Sequence, residues 1–213
     1  MALSKADFNN INITPAASKK LKWNSAADGF EAGDLGGSMV LLSTQTASSS
    51  STISFTSGIE STYKEYIFKF INIHPASASQ LSFQGSTDGG SNYNTTITTT
   101  TFDAYHNEGD TGTSLRYTTG YDQAQGTSFQ TLTDDNFTPA DDESGNGTLH
   151  LFNPSSTTFV KHFTSRLAHI GNGYSLDTFT AGYFNTTSAI NAVQFKMSSG
   201  NIDAGTIKMY GIL

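Results

Sequence analysis

The chain has 213 residues, no cysteine, a net charge of −7 at neutral pH and only 14% charged residues. Those numbers exclude a disulfide framework, a thiolate zinc site and a cysteine nucleophile, and no basic stripe is present for docking onto nucleic-acid phosphates. About a quarter of the residues are Ser or Thr, and no run approaches the ~20 apolar residues that cross a bilayer as a helix.

The first 37 residues differ in pattern from the rest. Ser4 with Asp7 forms a capping-box pattern, and Thr14-Pro15 reads as an N-cap followed by Pro at the first helical position. Short helical turns are therefore predicted around residues 4–10 and 15–21, neither long enough to persist without docking. The opening residues lack the apolar run of a secretion signal. Phe8, Ile11, Ile13 and Trp23, with Leu21 and Phe30, are spaced through this segment. They fit either a terminal flap packed under the neighbouring domain or an arm that docks onto another subunit. Gly33, Gly36 and Gly37 mark a junction, so the expected division is a docking arm over 1–37 and a β domain over 38–213.

From Met39 onward, alternation of apolar and polar residues predicts strands. They cover 39–46, 52–57, 65–74, 80–86, 93–105, 114–118, 129–131, 147–152, 159–167, 177–184, 192–197 and 206–212, some of them marginal. Residues 65–74 carry apolar side chains at both parities, as expected of a central strand covered on both sides. Asp88-Gly89-Gly90 reads as a tight hairpin turn, because such turns need positive φ. The acidic stretch 133–147 reads as the main surface excursion, and whether it binds calcium is left open. About ten strands in one flat sheet would leave a wet apolar face and long edges. The fold class is therefore all-β: an antiparallel, jelly-roll-like β-sandwich of about ten strands with a mostly irregular N-terminal arm. An immunoglobulin-like sandwich is the nearest competitor, but it usually needs fewer residues.

Little in the sequence points to bond-making chemistry. His74, His106, His150, His162 and His169 never fall two or four residues apart, so close His-pair ligand spacings are missing. There is no nucleophile elbow and no phosphate-binding glycine loop. The pairs Asp134/Asp135 and Asp141/Asp142 could serve a glycosidase-like site, though neighbouring acids in a polar loop are usually just solvated. No catalytic residue, metal or cofactor is predicted. Aromatics near strand ends are the better lead, since they form rigid, partly apolar contact points. Tyr105, His106, Tyr117, Tyr121 and Tyr174 are the candidate ligand contacts, and Tyr183 is a further such tyrosine.

The segments Tyr66–Pro75, Ser86–Tyr93, Gly147–Pro154 and Gly205–Ile212, with the opening Phe8-Asn9-Asn10-Ile11, resemble structural proteins of marine tailed bacteriophages. The resemblance covers most of the chain and transfers no functional residues. It implies a non-enzymatic virion component, as a tail, fibre or capsid-decoration element. Its arm would dock on other virion proteins through Phe8, Ile11, Ile13 and Trp23. It also implies a homo-oligomer, with a trimer as the first expectation; the charge balance and the lack of a long apolar run are what predict neither nucleic-acid binding nor membrane insertion. The alternative is a receptor- or carbohydrate-binding module at a fibre tip, with a host-surface glycan as partner. A glycan-degrading enzyme ranks third.

Overall fold

A computed structural model of the chain describes residues 19–26, 28–34 and 38–213. It divides into two compact units, one ending at Val40 and the other spanning Leu41–Leu213. The helical turn expected at 4–10, and with it Phe8, Ile11 and Ile13, lies outside the described residues.

In the first unit, β1 (Lys19–Trp23) pairs antiparallel with β2 (Phe30–Asp34). The helical turn expected over 15–21 therefore gives way to strand from residue 19. Leu21 and Trp23 alternate with lysines, and this period of two places Leu21 opposite Ala32 and Trp23 opposite Phe30. The Trp23 and Phe30 rings stack at 4.3 Å, and Lys22 pairs with Glu31 at 3.0 Å. The arm is thus more regular over 19–34 than expected.

β3 (Met39–Thr46) leads into the second unit, which continues with β4 (Ile53–Phe55), β5 (Glu65–Pro75), β6 (Leu81–Ser86), β7 (Ile97–Asn107) and β8 (Thr113–Tyr117). β9 (Gln130–Thr131), β10 (Gly145–Phe152), β11 (Lys161–Gly171), β12 (Tyr174–Phe184), β13 (Ala192–Met197) and β14 (Ile202–Ile212) complete it. The strands form an eight-stranded sheet, ordered β3-β14-β5-β10-β11-β12-β7-β8, and a four-stranded sheet, ordered β4-β13-β6-β9. The result is an antiparallel β-sandwich with unequal sheets.

Alternation builds the core. β11 buries Phe163, Ser165, Leu167 and His169 and exposes His162, Thr164, Arg166 and Ala168. Phe195 of the small sheet meets Phe68 at 5.4 Å and Phe70 at 5.2 Å on the large one, and also touches Phe55 and Phe83. Phe83 in turn packs edge-on against Phe163 and Phe184. The threonine run splits by parity: Thr99 and Thr101 are buried, while Thr98 and Thr100 face outward.

Two turns differ from expectation. β11 and β12 are longer than predicted and joined directly by Asn172-Gly173, both at positive φ (52° and 73°). Asn-Gly is the favoured pair for a two-residue hairpin because both of its positions need the left-handed region. Asp88-Gly89-Gly90 also holds positive φ at both glycines, yet it closes no hairpin, since β6 and β7 belong to different sheets. Asp88 instead accepts bonds from the Ser86 hydroxyl (2.6 Å) and the Asn92 amide (2.9 Å), shaping a crossover between sheets.

Because Phe195 joins the two layers at their most aromatic point, Phe195→Ala is expected to cost about 3–5 kcal/mol. Leu115→Ala, at a residue 74% exposed, should stay within about 0.5 kcal/mol of the parent. Urea unfolding of the two variants checks both values.

Candidate functional site

The structure brings two of the five candidate contacts, Tyr105 and Tyr174, together at one corner, where β7, β8 and the start of β12 meet. Tyr105 on β7 and Tyr174 on β12 pack edge-on at 5.6 Å. The guanidinium of Arg116 on β8 lies 4.5 Å from the Tyr105 ring centre. Tyr117 is 60% exposed on the opposite face of β8, and its hydroxyl donates to Asp122 at 2.5 Å. Tyr121 ends a 3-10 turn at Thr119–Tyr121; its hydroxyl accepts a bond from Gln80 at 2.5 Å, and burial raises its pKa. His106 is exposed and meets Asp110 at 3.1 Å. Tyr105, Tyr174 and Arg116 therefore form one contact group, whereas Tyr121 supports the loop beneath it and His106 and Tyr117 face away. Trp23 of the arm is 61% exposed on the β1–β2 hairpin.

Beneath Tyr105 lies a buried ionic cluster that sequence reading missed. Arg116 donates to both oxygens of the fully buried Asp103 (2.8 Å from Nη2) and to Asp134 at 2.5 Å, with Asp135 at 3.6 Å. The Thr118 hydroxyl adds a third donor to Asp103 at 3.1 Å. Asp134 is not a solvated loop acid. It is 4% exposed, and its backbone amide donates to the Thr178 hydroxyl. Leu132 and Phe137 around it are fully buried, so the first part of the acidic stretch is an inward plug, and the exposed acids begin at Asp135, Asp141 and Asp142. The usable signal was parity: Ile97, Thr99 and Thr101 face inward, and the same alternation carries Asp103 with them.

Burial first, then the neighbouring Asp103 carboxyl, pushes the Asp134 carboxyl up to about 6. His169, packed on Phe137 at 4.5 Å, is 4% exposed with neither ring nitrogen hydrogen-bonded, and burial lowers its pKa to about 4. Asp103 and Asp134 share one guanidinium nitrogen, which leaves no room for a sugar ring between the two acids. The cluster's chemistry is structural: it ties the β7–β8 edge to the loop after β9. Among the described residues, no group of three or more His, Asp or Glu is arranged to hold a metal ion. Nor is any helix among them long and apolar enough to cross a membrane.

The outer face of the large sheet carries the other exposed aromatics. Phe102 and Phe179 stack in parallel at 4.9 Å, Phe152 is 37% exposed, and Tyr183 lies beside His162. An open trough of about 340 Å³ runs over Ala181 and Gly182 between Thr98, Thr100, His162 and Thr164.

Asp134 and His169 act on stability in opposite directions. The raised Asp134 value favours the folded state fully below the ordinary carboxylate range, and this contribution is lost as pH rises through about 6. The lowered His169 value contributes fully above about 6.5 and is lost as pH falls through about 4. Each shift is worth about 3 kcal/mol, so the two nearly cancel between them. Relative to the parent, His169→Phe should gain stability on acidification from pH 6.5 to 4 and Asp134→Asn should lose it, as read by urea midpoints across that range. Arg116→Met, which strands a buried carboxylate, should cost about 3–5 kcal/mol by the same measurement at pH 7.5.

Comparison of the chain with protein-family models, with curated proteins and with solved structures finds no match in any of the three.

Proposed function

We propose that this chain is a non-enzymatic structural protein of a tailed-phage virion, anchored by its N-terminal unit and presenting the β-sandwich for contact. The observation that carries the reading is the β1–β2 hairpin. Leu21, Trp23, Phe30 and Ala32 are all exposed, at 51%, 61% and 41% for the three large side chains. An isolated two-stranded hairpin is marginal in water, and an apolar face of this kind is stabilised when a partner covers it. Two further features support the reading. The buried acids of the sandwich are engaged by Arg116, and the resemblance to virion proteins spans most of the chain. A second reading, contact with a host-surface glycan, is favoured by the aromatic and hydroxyl-bearing outer face of the large sheet.

In purified particles the chain should be present at a fixed copy number by quantitative mass spectrometry. A Trp23→Ser/Phe30→Ser double variant should be incorporated at least tenfold less while keeping the parent's β-sheet circular dichroism. Absence of the parent chain from particles overturns the virion assignment, and full incorporation of the double variant overturns the anchor.

A further inference from the structure

One transverse row on the outer face of the large sheet has a composition unlike the rest of the molecule. The registers place Lys208 opposite Lys69, Lys69 opposite Thr148, Thr148 opposite Arg166 and Arg166 opposite Phe179. Phe179 is opposite Phe102, and Phe102 is opposite Tyr117. The row thus runs from cations to aromatics across seven strands. Neighbouring strands lie about 4.8 Å apart, so the row is about 29 Å long.

Three features of the row point to an anionic ligand. Like charges directly opposite on paired strands are destabilising, yet Lys69 and Lys208 are held in that relation on a chain of net charge −7. Among the described residues neither lysine has a carboxylate within salt-bridge reach, and Lys69 lies over the Tyr210 ring at 5.5 Å. Arg166, 65% exposed, is held flat by a two-pronged bond to Asp177 and lies 5.0 Å from the Phe179 ring centre. Glu65, also on this face, is engaged by His150 at 2.5 Å, and Asp122 at the aromatic end accepts from Tyr117 and from the Thr101 amide.

We infer that this row binds an acidic polysaccharide lying across the strands, its carboxylate or sulfate groups over Lys208, Lys69 and Arg166 and its sugar rings against Tyr117 and the outward edges of Phe179 and Phe102, whose faces are turned to one another across the strands. A pyranose ring with its link is close in length to one strand spacing, so successive sugars meet successive strands. Two half-buried lysines without a carboxylate partner and one partly neutralised arginine suit the sparse charge of such a polymer. Duplex DNA, with a charge every ~1.7 Å, would meet net repulsion from the acidic chain. A second copy of the chain fits less well: the reversed row of a two-fold partner would set Arg166 against its own copy, and like-charge juxtaposition is costly. The inference deepens the glycan-contact reading and is independent of where the protein is assembled.

The test is binding of the full chain to polyglucuronate, dextran sulfate, neutral dextran and poly(dT), by calorimetry at 50 and 200 mM salt. The expected result is binding to one or both acidic saccharides, weakened by salt, with none to neutral dextran. Preference between the first two polymers distinguishes carboxylate from sulfate. Lys69→Gln/Lys208→Gln and, separately, Phe102→Ala should each weaken binding at least tenfold, whereas Lys196→Gln on the small sheet should leave it unchanged. Melting temperatures near the parent's would show that the variants are folded. The inference is overturned if neither acidic saccharide binds at millimolar repeat units, if the lysine variant binds as well as the parent, or if poly(dT) binds more tightly. A concentration-dependent dimer that Phe102→Glu abolishes would assign the face to a second copy and also overturn it. Particle composition is read separately, so failure of the virion assignment does not affect this outcome.

Discussion

The large sheet has eight strands and the sheet that covers it has four, and the rest of the molecule answers to that inequality. An inner face twice as wide as its cover must be closed by something else, because exposed apolar surface and unpaired polar groups are both costly. Over β5, β10 and β11 the closure is aromatic, with Phe55, Phe83 and Phe195 interlocked against Phe68, Phe70 and Phe163. Toward β7 and β8 the small sheet runs out. There the chain after β9 folds inward, and the inner side chains change from phenylalanine to Thr99, Thr101, Asp103 and Thr178. A buried carboxylate tolerates such a place only when it is paired and hydrogen-bonded, and Arg116 with Thr118 supplies that.

This arrangement separates the two surfaces functionally. The buried carboxylates Asp103 and Asp134 are occupied, through Arg116, in holding the loop and the edge hairpin together. The outer face of the large sheet has no such burden, and its side chains are free to vary without disturbing the core. The proposed adhesive role is supported by this division: ionic pairing inside, and a broad, shallow, mixed surface outside.

Much of the fold could be read from the sequence, because alternation is local. Apolar residues at both parities along 65–74 pointed to a central strand covered on both faces; β5 is internal to its sheet, but its outer face carries Lys69 and exposed Ile71, and the C-terminal alternation of Thr206–Tyr210 is found in β14. Two departures concern turn residues, whose local signal does not reveal which strands pair. Asp88-Gly89-Gly90 and Asn172-Gly173 both supply positive φ, but only the second is flanked by strands that pair with each other, and pairing is a long-range property. The site was less legible for the same reason. Asp134 looks solvated in sequence because its partner Arg116 lies on another strand, and the row from Lys208 to Tyr117 draws its seven members from seven separate strands. Tyr105 and Tyr174 were found as aromatics near strand ends, but their contact depends on the β7–β12 register.

The position of β14 has a kinetic consequence. It lies between β3 and β5, so the ladder between those early strands is bridged by the last strand of the sandwich to be synthesised. The β11–β12 hairpin closes over a two-residue turn and can zip quickly, but the other end of the large sheet waits for residues 127 to 147 positions downstream of β5 in sequence, and contacts of such separation slow folding. On the ribosome, β3 and β5 emerge with no partner between them and with their edges open to other chains, and this interval is when the nascent protein most depends on protection from aggregation.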